Sequence, residues 1–242
     1  MTMCAEKKRY VISFTPPPYD ALGIVGANWL GRNAFSNVSF EPQFIRGCGL
    51  HEIAYHTAVP RRYGFQAMLK SPFVLAEGLS EAMLLNALMR FATRWEPFLL
   101  SPLAVTRFRD MLTLSPLVNA PAMDALAASV VSDLDYFRAP MSDAEFERRD
   151  TGDLTPTQFA NLYRWGEPDV MSAFHFHLTL TGKLPPQDAD RIERLVREFF
   201  GPVLLEPVEV GSLALFVEEE PGAPFIVHSL HPMGALPARQ TA

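Results

Sequence analysis

The sequence predicts an α+β fold of two pseudo-symmetric lobes, each an antiparallel sheet with helices packed outside, facing across a central cleft. Three observations predict it. Strand and helix signals are interleaved along the chain. The order alternating strand, amphipathic helix, Pro-flanked strand, strand occurs twice. Finally, Pro97-Phe-Leu-Leu-Ser-Pro-Leu-Ala-Val105 aligns with Pro202-Val-Leu-Leu-Glu-Pro-Val-Glu-Val210, with five of nine positions identical. A two-fold relating the halves would set His177 opposite Gln66 and Thr179 opposite Met68.

With 242 residues the chain can form one large domain or two lobes of ordinary size. Apolar residues make up 48% and charged residues 20%, which supports a sizeable core and argues against disorder. Twenty-one prolines imply short elements with frequent stops. A net charge of −6 argues against a general nucleic-acid or anionic-membrane binder, while leaving room for a locally basic pocket. The two cysteines, Cys4 and Cys48, give neither a disulfide framework nor a metal spacing. Met1 to Arg9 is polar, and the apolar run after it is too short and proline-rich for a signal or spanning segment, so a cytoplasmic, soluble protein is expected. One bilobal domain is expected over residues 1–230, with lobes of about 9–108 and 109–230 that can exchange chain, and a frayed tail over 231–242.

The elements follow in order. Tyr10 to Phe14 is rich in strand formers, and Pro16-Pro17-Pro18 ends the strand. Tyr19 to Leu30 reads as a glycine-interrupted helix closed by Gly31. Arg32 to Pro60 is broken by Gly, Asn, Ser and Pro and reads as loop with short strands; His51 and His56 within it read as surface or packing histidines. Arg61 to Leu75 carries a strand signal, with Tyr63, Phe65, Ala67 and Leu69 on one face and Gly64, Gln66, Met68 and Lys70 on the other. Leu79 to Trp95 is a helix capped by Ser80 and stopped by Pro97. Phe98 to Val105 and Arg109 to Leu114 are strands. Ala122 to Phe137, Ser142 to Arg149 and Thr155 to Trp165 are helices, the last with Thr155 as cap and Pro156 in the first turn. Ala173 to Thr181 is a strand, and Pro186 to Phe200 a helix with Arg191, Arg194 and Arg197 on a solvated face. Val203 to Val210, Ser212 to Val217 and Phe225 to Leu230 finish the chain as strands.

Within this frame one stretch carries chemistry. Phe174, Phe176, Leu178 and Leu180 alternate with His175, His177, Thr179 and Thr181. Two imidazoles and two hydroxyls, about 7 Å apart along one strand face, suit an anion or a proton transfer. The bland alternative is a half-exposed strand with its polar side outward.

The chain resembles the two-histidine phosphoesterase superfamily, whose signature is a strand carrying His-x-Thr in each of two similar lobes. More closely, Arg9-Tyr10, Trp29-Leu30-Gly31, Pro60-Arg-Arg-Tyr-Gly-Phe65, Leu69-Lys70, Arg164-Trp-Gly166, Phe176-His177, Thr179-Leu-Thr-Gly182 and Leu215-Phe-Val-Glu218 resemble its phosphonate-operon-associated branch, in order from about Arg9 to Leu230. The resemblance implies action on a small cyclic phosphodiester or phosphorylated metabolite without a metal or other cofactor. One imidazole would take a proton from water and the other would give one to the leaving oxygen, while hydroxyls hold the phosphoryl oxygens.

The sequence departs from the family pattern. Gln66 and Met68 stand where the first motif has its histidine and threonine, and His175 stands where an arginine is expected. Glu167 and Asp169 follow Trp165-Gly166 where aromatics are usual. The resemblance therefore assigns the chemistry to His177, Thr179 and Gln66, the last as a hydrogen-bond donor that cannot titrate. His175, Thr181, Lys70, Arg62, Tyr63 and Tyr10 are assigned to ligand binding. The expected partner is a small phosphorylated ligand, with no membrane and no general nucleic acid; the sequence sets no oligomeric state. Two other readings stand beside this one. One is a ligand-binding pseudoenzyme on the same fold. The other, weaker, is a metal site from His175, His177, Glu167 and Asp169.

Overall fold

A computed structural model of the chain describes residues 8–234 except 42–44, 148 and 150. Cys4, part of the helix expected at Ser142 to Arg149, and the tail beyond Gly234 lie outside the described residues.

The first sheet grows around β1 (Arg9–Phe14), whose Val, Ile and Phe residues are all buried. One neighbour is β4 (Ala67–Phe73); the other is β10 (Ser212–Glu218), which forms a hairpin with β11 (Ile226–Pro232). The order β11-β10-β1-β4 is antiparallel throughout, so this sheet draws on both ends of the chain. The second sheet has β6 (Leu103–Phe108) and β7 (Met111–Pro116) joined by a tight turn at Arg109-Asp110, both residues at positive φ. A short strand, β8 (Leu178–Thr179), adds to the free side of β7. Between the main elements lie two small pairs, β2 (Arg32–Asn33) with β3 (Val38–Ser39) and β5 (Phe98–Leu100) with β9 (Val208–Val210). The two aligned proline-flanked segments thus meet through β5 and β9.

Helices cover these sheets. They are α1 (Ala21–Leu30), α2 (Leu50–His56), α3 (Ala58–Tyr63), α4 (Glu81–Ala92), α5 (Pro121–Leu134), α6 (Asp143–Glu147), α7 (Pro156–Trp165) and α8 (Pro186–Phe200). Caps were legible where they are local. Ser80 accepts from the Met83 amide, and Thr155 with Gln158 forms a capping box before α7. The α+β class expected from the sequence is the one observed.

One continuous core joins the two sheets. Phe14 of β1 meets Phe176 at 6.0 Å between ring centroids, and the Trp29 indole of α1 donates to the Leu180 carbonyl at 2.8 Å. Gly26 is required by this packing: a Cβ there would lie 2.3 Å from the Phe65 ring.

Four expectations are corrected. Helices α2 and α3 occupy part of Arg32–Pro60 and extend to Tyr63, where loop and then strand were expected. The Arg32 guanidinium holds the end of α3, donating to the carbonyls of Arg61 (2.8 Å) and Arg62 (3.1 Å). This is a tertiary cap that no local pattern signals. The strand expected over Ala173–Thr181 pairs only at Leu178 and Thr179. Continuing its register would set Phe176 opposite Pro116, which has no N–H for a ladder. The strand expected at Val203–Val210 begins only at Val208, after a 3₁₀ turn at Gly201–Val203. Lastly, β11 runs through Pro232, and Met233 and Gly234 donate to the Gly211 and Trp95 carbonyls, so the chain stays ordered past the point where fraying was expected.

Candidate active site

Strand β4 is irregular, and the irregularity decides what the site contains. Ser13 pairs with Met68, but Ile12 pairs with Lys70, so β4 carries one extra residue, Leu69, between them. A bulge of this kind moves the next side chains to the other face, until a second shift between Lys70 and Phe73 adds one more residue to β4. Met68 keeps company with Val11, Ala214 and Phe216, whereas Lys70 turns to the core face of Ile12.

A cavity of about 210 Å³ opens between β4 and the β7–β8 edge. Gln66, just before β4, and Met68, Leu69 and Ser71 of β4 line one side; Met111, His175, His177 and Thr179 line the other. Phe108 and Arg109 from the β6–β7 turn and Glu167, Asp169 and Val170 from the segment after α7 also line it. A larger groove of about 780 Å³, lined by Pro16, Pro17, Leu99 and Pro207 among others, carries Asp20, Glu206 and Glu209 but, among the described residues, no histidine or cation.

From His175 to Leu180 the alternation seen in the sequence persists even before the pairing at Leu178 and Thr179, whereas Phe174 lines the cavity. Phe176, Leu178 and Leu180 are buried, while His175, His177 and Thr179 reach the cavity. His177 Nδ1 lies 2.7 Å from the His175 carbonyl oxygen. A carbonyl can only accept, so Nδ1 carries the proton and Nε2 keeps its lone pair in the neutral ring. Burial pulls the His177 pKa down, and the charge of a protonated His175 would pull the same way, against the carbonyl bond that raises it. The His175 and His177 rings both pack on Phe108, at 5.0 and 4.9 Å. His175 Nε2 lies 3.4 Å from the Ser115 hydroxyl.

On the β4 side Gln66 is buried and its amide is engaged at both ends. Its Oε1 accepts from the Ser13 hydroxyl and its Nε2 donates to the Tyr63 carbonyl at 2.6 Å. Asp169 accepts from Arg109 Nη2 and Gln158 Nε2, both at 2.8 Å. The Glu167 carboxyl stands beside the Ser71 hydroxyl, and burial pushes its pKa upward.

The other expected ligand contacts face elsewhere. The Lys70 ammonium is 2.7 Å from Asp135 Oδ1 and is almost fully buried. Arg62 pairs with the fully buried Glu218, which also takes Arg9. The Tyr63 ring stacks on Phe225 at 5.2 Å, and Tyr10 donates to Glu81 at 2.8 Å. Thr181 is buried, and its hydroxyl accepts from the Leu112 amide at 3.0 Å, sealing the β7 edge. Ser71, Phe108 and Arg109 are cavity residues that sequence reasoning passed over. Ser71 was hidden by the bulge, and Arg109 was read as the first residue of a strand rather than as half of a turn.

Among the described residues no group of three or more His, Cys, Asp or Glu side chains is arranged to hold a metal ion. Asp169 is instead committed to Arg109. No helix among the described residues is long and apolar enough to cross a membrane.

An α+β protein with a histidine and a threonine facing a second sheet edge across a small cavity is the class that fold and site define. Residues 68–226 match the family described as "Protein of unknown function (DUF1045)", and the chain belongs to that family. Two curated relatives carry the name ribose 1,5-bisphosphate phosphokinase PhnN. The one from Janthinobacterium sp. (strain Marseille) is 35% identical over 224 residues, covering 90% of this chain and 49% of its own. The one from Laribacter hongkongensis (strain HLHK9) is 34% identical over 217 residues, covering 90% and 50%. The chain spans about half the length of these relatives. They agree with the resemblance to the phosphonate-associated branch. Among solved structures, a phosphoesterase aligns over 95% of this chain and 100% of its own at 12% identity, with a TM-score of 0.42. E. coli LigT complexed with 3'-AMP aligns over the same shares at 13% identity, with a TM-score of 0.40.

Proposed function

We propose that the protein takes a small phosphorylated metabolite into the cavity between β4 and β8 and acts on its phosphoester, with His177 as general base. The observation that carries this is the His177 ring. Its Nδ1 is fixed by the His175 carbonyl, which leaves Nε2 as the basic nitrogen of a half-buried imidazole at the cavity wall. Thr179 and Ser71 supply hydroxyls for phosphoryl oxygens, and Arg109 brings positive charge to the rim. The relatives' name concerns a ribose bisphosphate, so phosphorylated and cyclic-phosphate pentoses are the first ligands to test, together with 2′,3′-cyclic nucleotides. A role in phosphonate metabolism follows from the same resemblance. Hydrolysis of these compounds is to be measured for wild type and His177→Ala; equal background rates for both would end this reading.

A second reading is supported by Gln66. With its amide bonded to Ser13 and Tyr63, it offers no titrating group on the β4 side. The protein would then bind a phosphorylated ligand without turning it over, and Gln66→His with Met68→Thr would create activity absent from the wild type.

A further inference from the structure

Gln66 leaves the β4 side of the cavity without an imidazole, yet that side does hold an ionisable group. Helix α7 ends at Gly166, whose φ of 74° turns the chain sharply, with the Arg138 guanidinium 3.1 Å from where a Cβ would sit. The turn delivers Glu167 to the cavity wall beside Ser71 of β4. Thr179 and His177 line the same cavity from the β8 side.

We infer that Glu167 is the proton donor that replaces the absent histidine, giving its proton to the leaving oxygen while His177 takes one from the attacking water. The inference rests on the phosphoesterase reading above. Among the described residues two carboxyls, Glu167 and Asp169, line this cavity, and their surroundings differ. Asp169 is paired with Arg109 at 2.8 Å. Glu167 meets a neutral hydroxyl, the negative charge of Asp169 and, as its countercharge, Arg149. Lys70 and Arg138 line the small pocket on its other side, but both are bonded to Asp135. The balance pushes the Glu167 pKa up while the His177 pKa is pushed down. A carboxyl shifted toward its acid form and an imidazole shifted toward its neutral form are the pair that such hydrolysis needs.

The step balances. Water oxygen bonds to phosphorus as His177 Nε2 accepts its proton. The bond from phosphorus to the ester oxygen breaks, and that oxygen takes the Glu167 proton. Turnover leaves a carboxylate and an imidazolium, which reset by exchange with solvent.

The test uses two leaving groups. An alkoxide needs an acid, whereas 4-nitrophenolate departs without one. Glu167→Gln should lower kcat/KM for a 2′,3′-cyclic nucleotide by about 10²–10⁴, lower that for bis(4-nitrophenyl) phosphate far less, and remove the high-pH limb of the wild-type profile. The thermal midpoint of the variant serves as the folding control. Equal losses on both substrates, or no loss on either, would overturn the assignment. A dead His177→Ala beside an unimpaired Glu167→Gln would remove this inference alone. Wild type no faster than His177→Ala on either substrate would remove the phosphoesterase reading and this inference with it.

Discussion

The His177 ring and the His175 carbonyl are joined at 2.7 Å, a bond between a side chain and a backbone two residues away. It fixes the tautomer without using the His175 side chain. Activity that depends on neutral His177 should fall tenfold per pH unit on the acid side, with the limb below the ordinary histidine value of 6.5. His175→Ala keeps the carbonyl but removes a neighbouring positive charge, so the limb should move to higher pH. A kcat/KM profile for both proteins checks the direction; a shift to lower pH would contradict it.

Lys70 and Asp135 form a buried pair that Arg138 also shares. Burial drives the Lys70 pKa down, against the pull of Asp135. Asp135→Asn strands a buried ammonium and should cost about 3–5 kcal/mol in urea unfolding. Lys70→Met leaves Asp135 with Arg138 and should cost less. Because Lys70 does not line the cavity, Lys70→Met should bind phosphate like wild type in calorimetry.

Helices α2 and α8 are linked by Glu52 and Arg191. The Arg191 hydrogen bond holds the Glu52 carboxyl at about 2, against an ordinary 4.5. The unfolded chain therefore binds this proton more readily than the folded one. The pair's contribution is complete above pH 4.5 and is lost as pH falls toward 2. Arg191→Met should be less stable at neutral pH and show a shallower decline of its urea midpoint across that window.

Gly26 faces the Phe65 ring with no room for a methyl group. Gly26→Ala should cost about 1–3 kcal/mol by overpacking. It should also disturb binding at the cavity, because Phe65 immediately precedes Gln66. Urea unfolding and ligand titration together read both effects.

What the sequence made legible was local. The caps of α4 and α7 lie within a few residues of the helices they start, and the period of two through Phe176, Leu178 and Leu180 marks burial correctly. What it hid was tertiary. Arg32 ends α3 from another part of the chain, and Pro116 limits a strand sixty residues later in the sequence. Thr181 shares the period of His177 and Thr179, yet both its amide and that of Leu180 bond the Leu112 carbonyl, which turns its hydroxyl into the β7 edge. Lys70 fell on the wrong face for a related reason: alternation was counted through Leu69, where the pairing slips.

That slip makes the composition of the pocket depend on strand register as well as residue identity. Were Leu69 paired regularly instead of bulged, Lys70 would stand in phase with Gln66 and Met68, trading the Ser71 hydroxyl at the cavity wall for an ammonium. A one-residue slip in the pairing of a sheet edge can thus recharge a binding site with no substitution at all. In related chains, gaps in this strand should be aligned with the same care as changes in its motif.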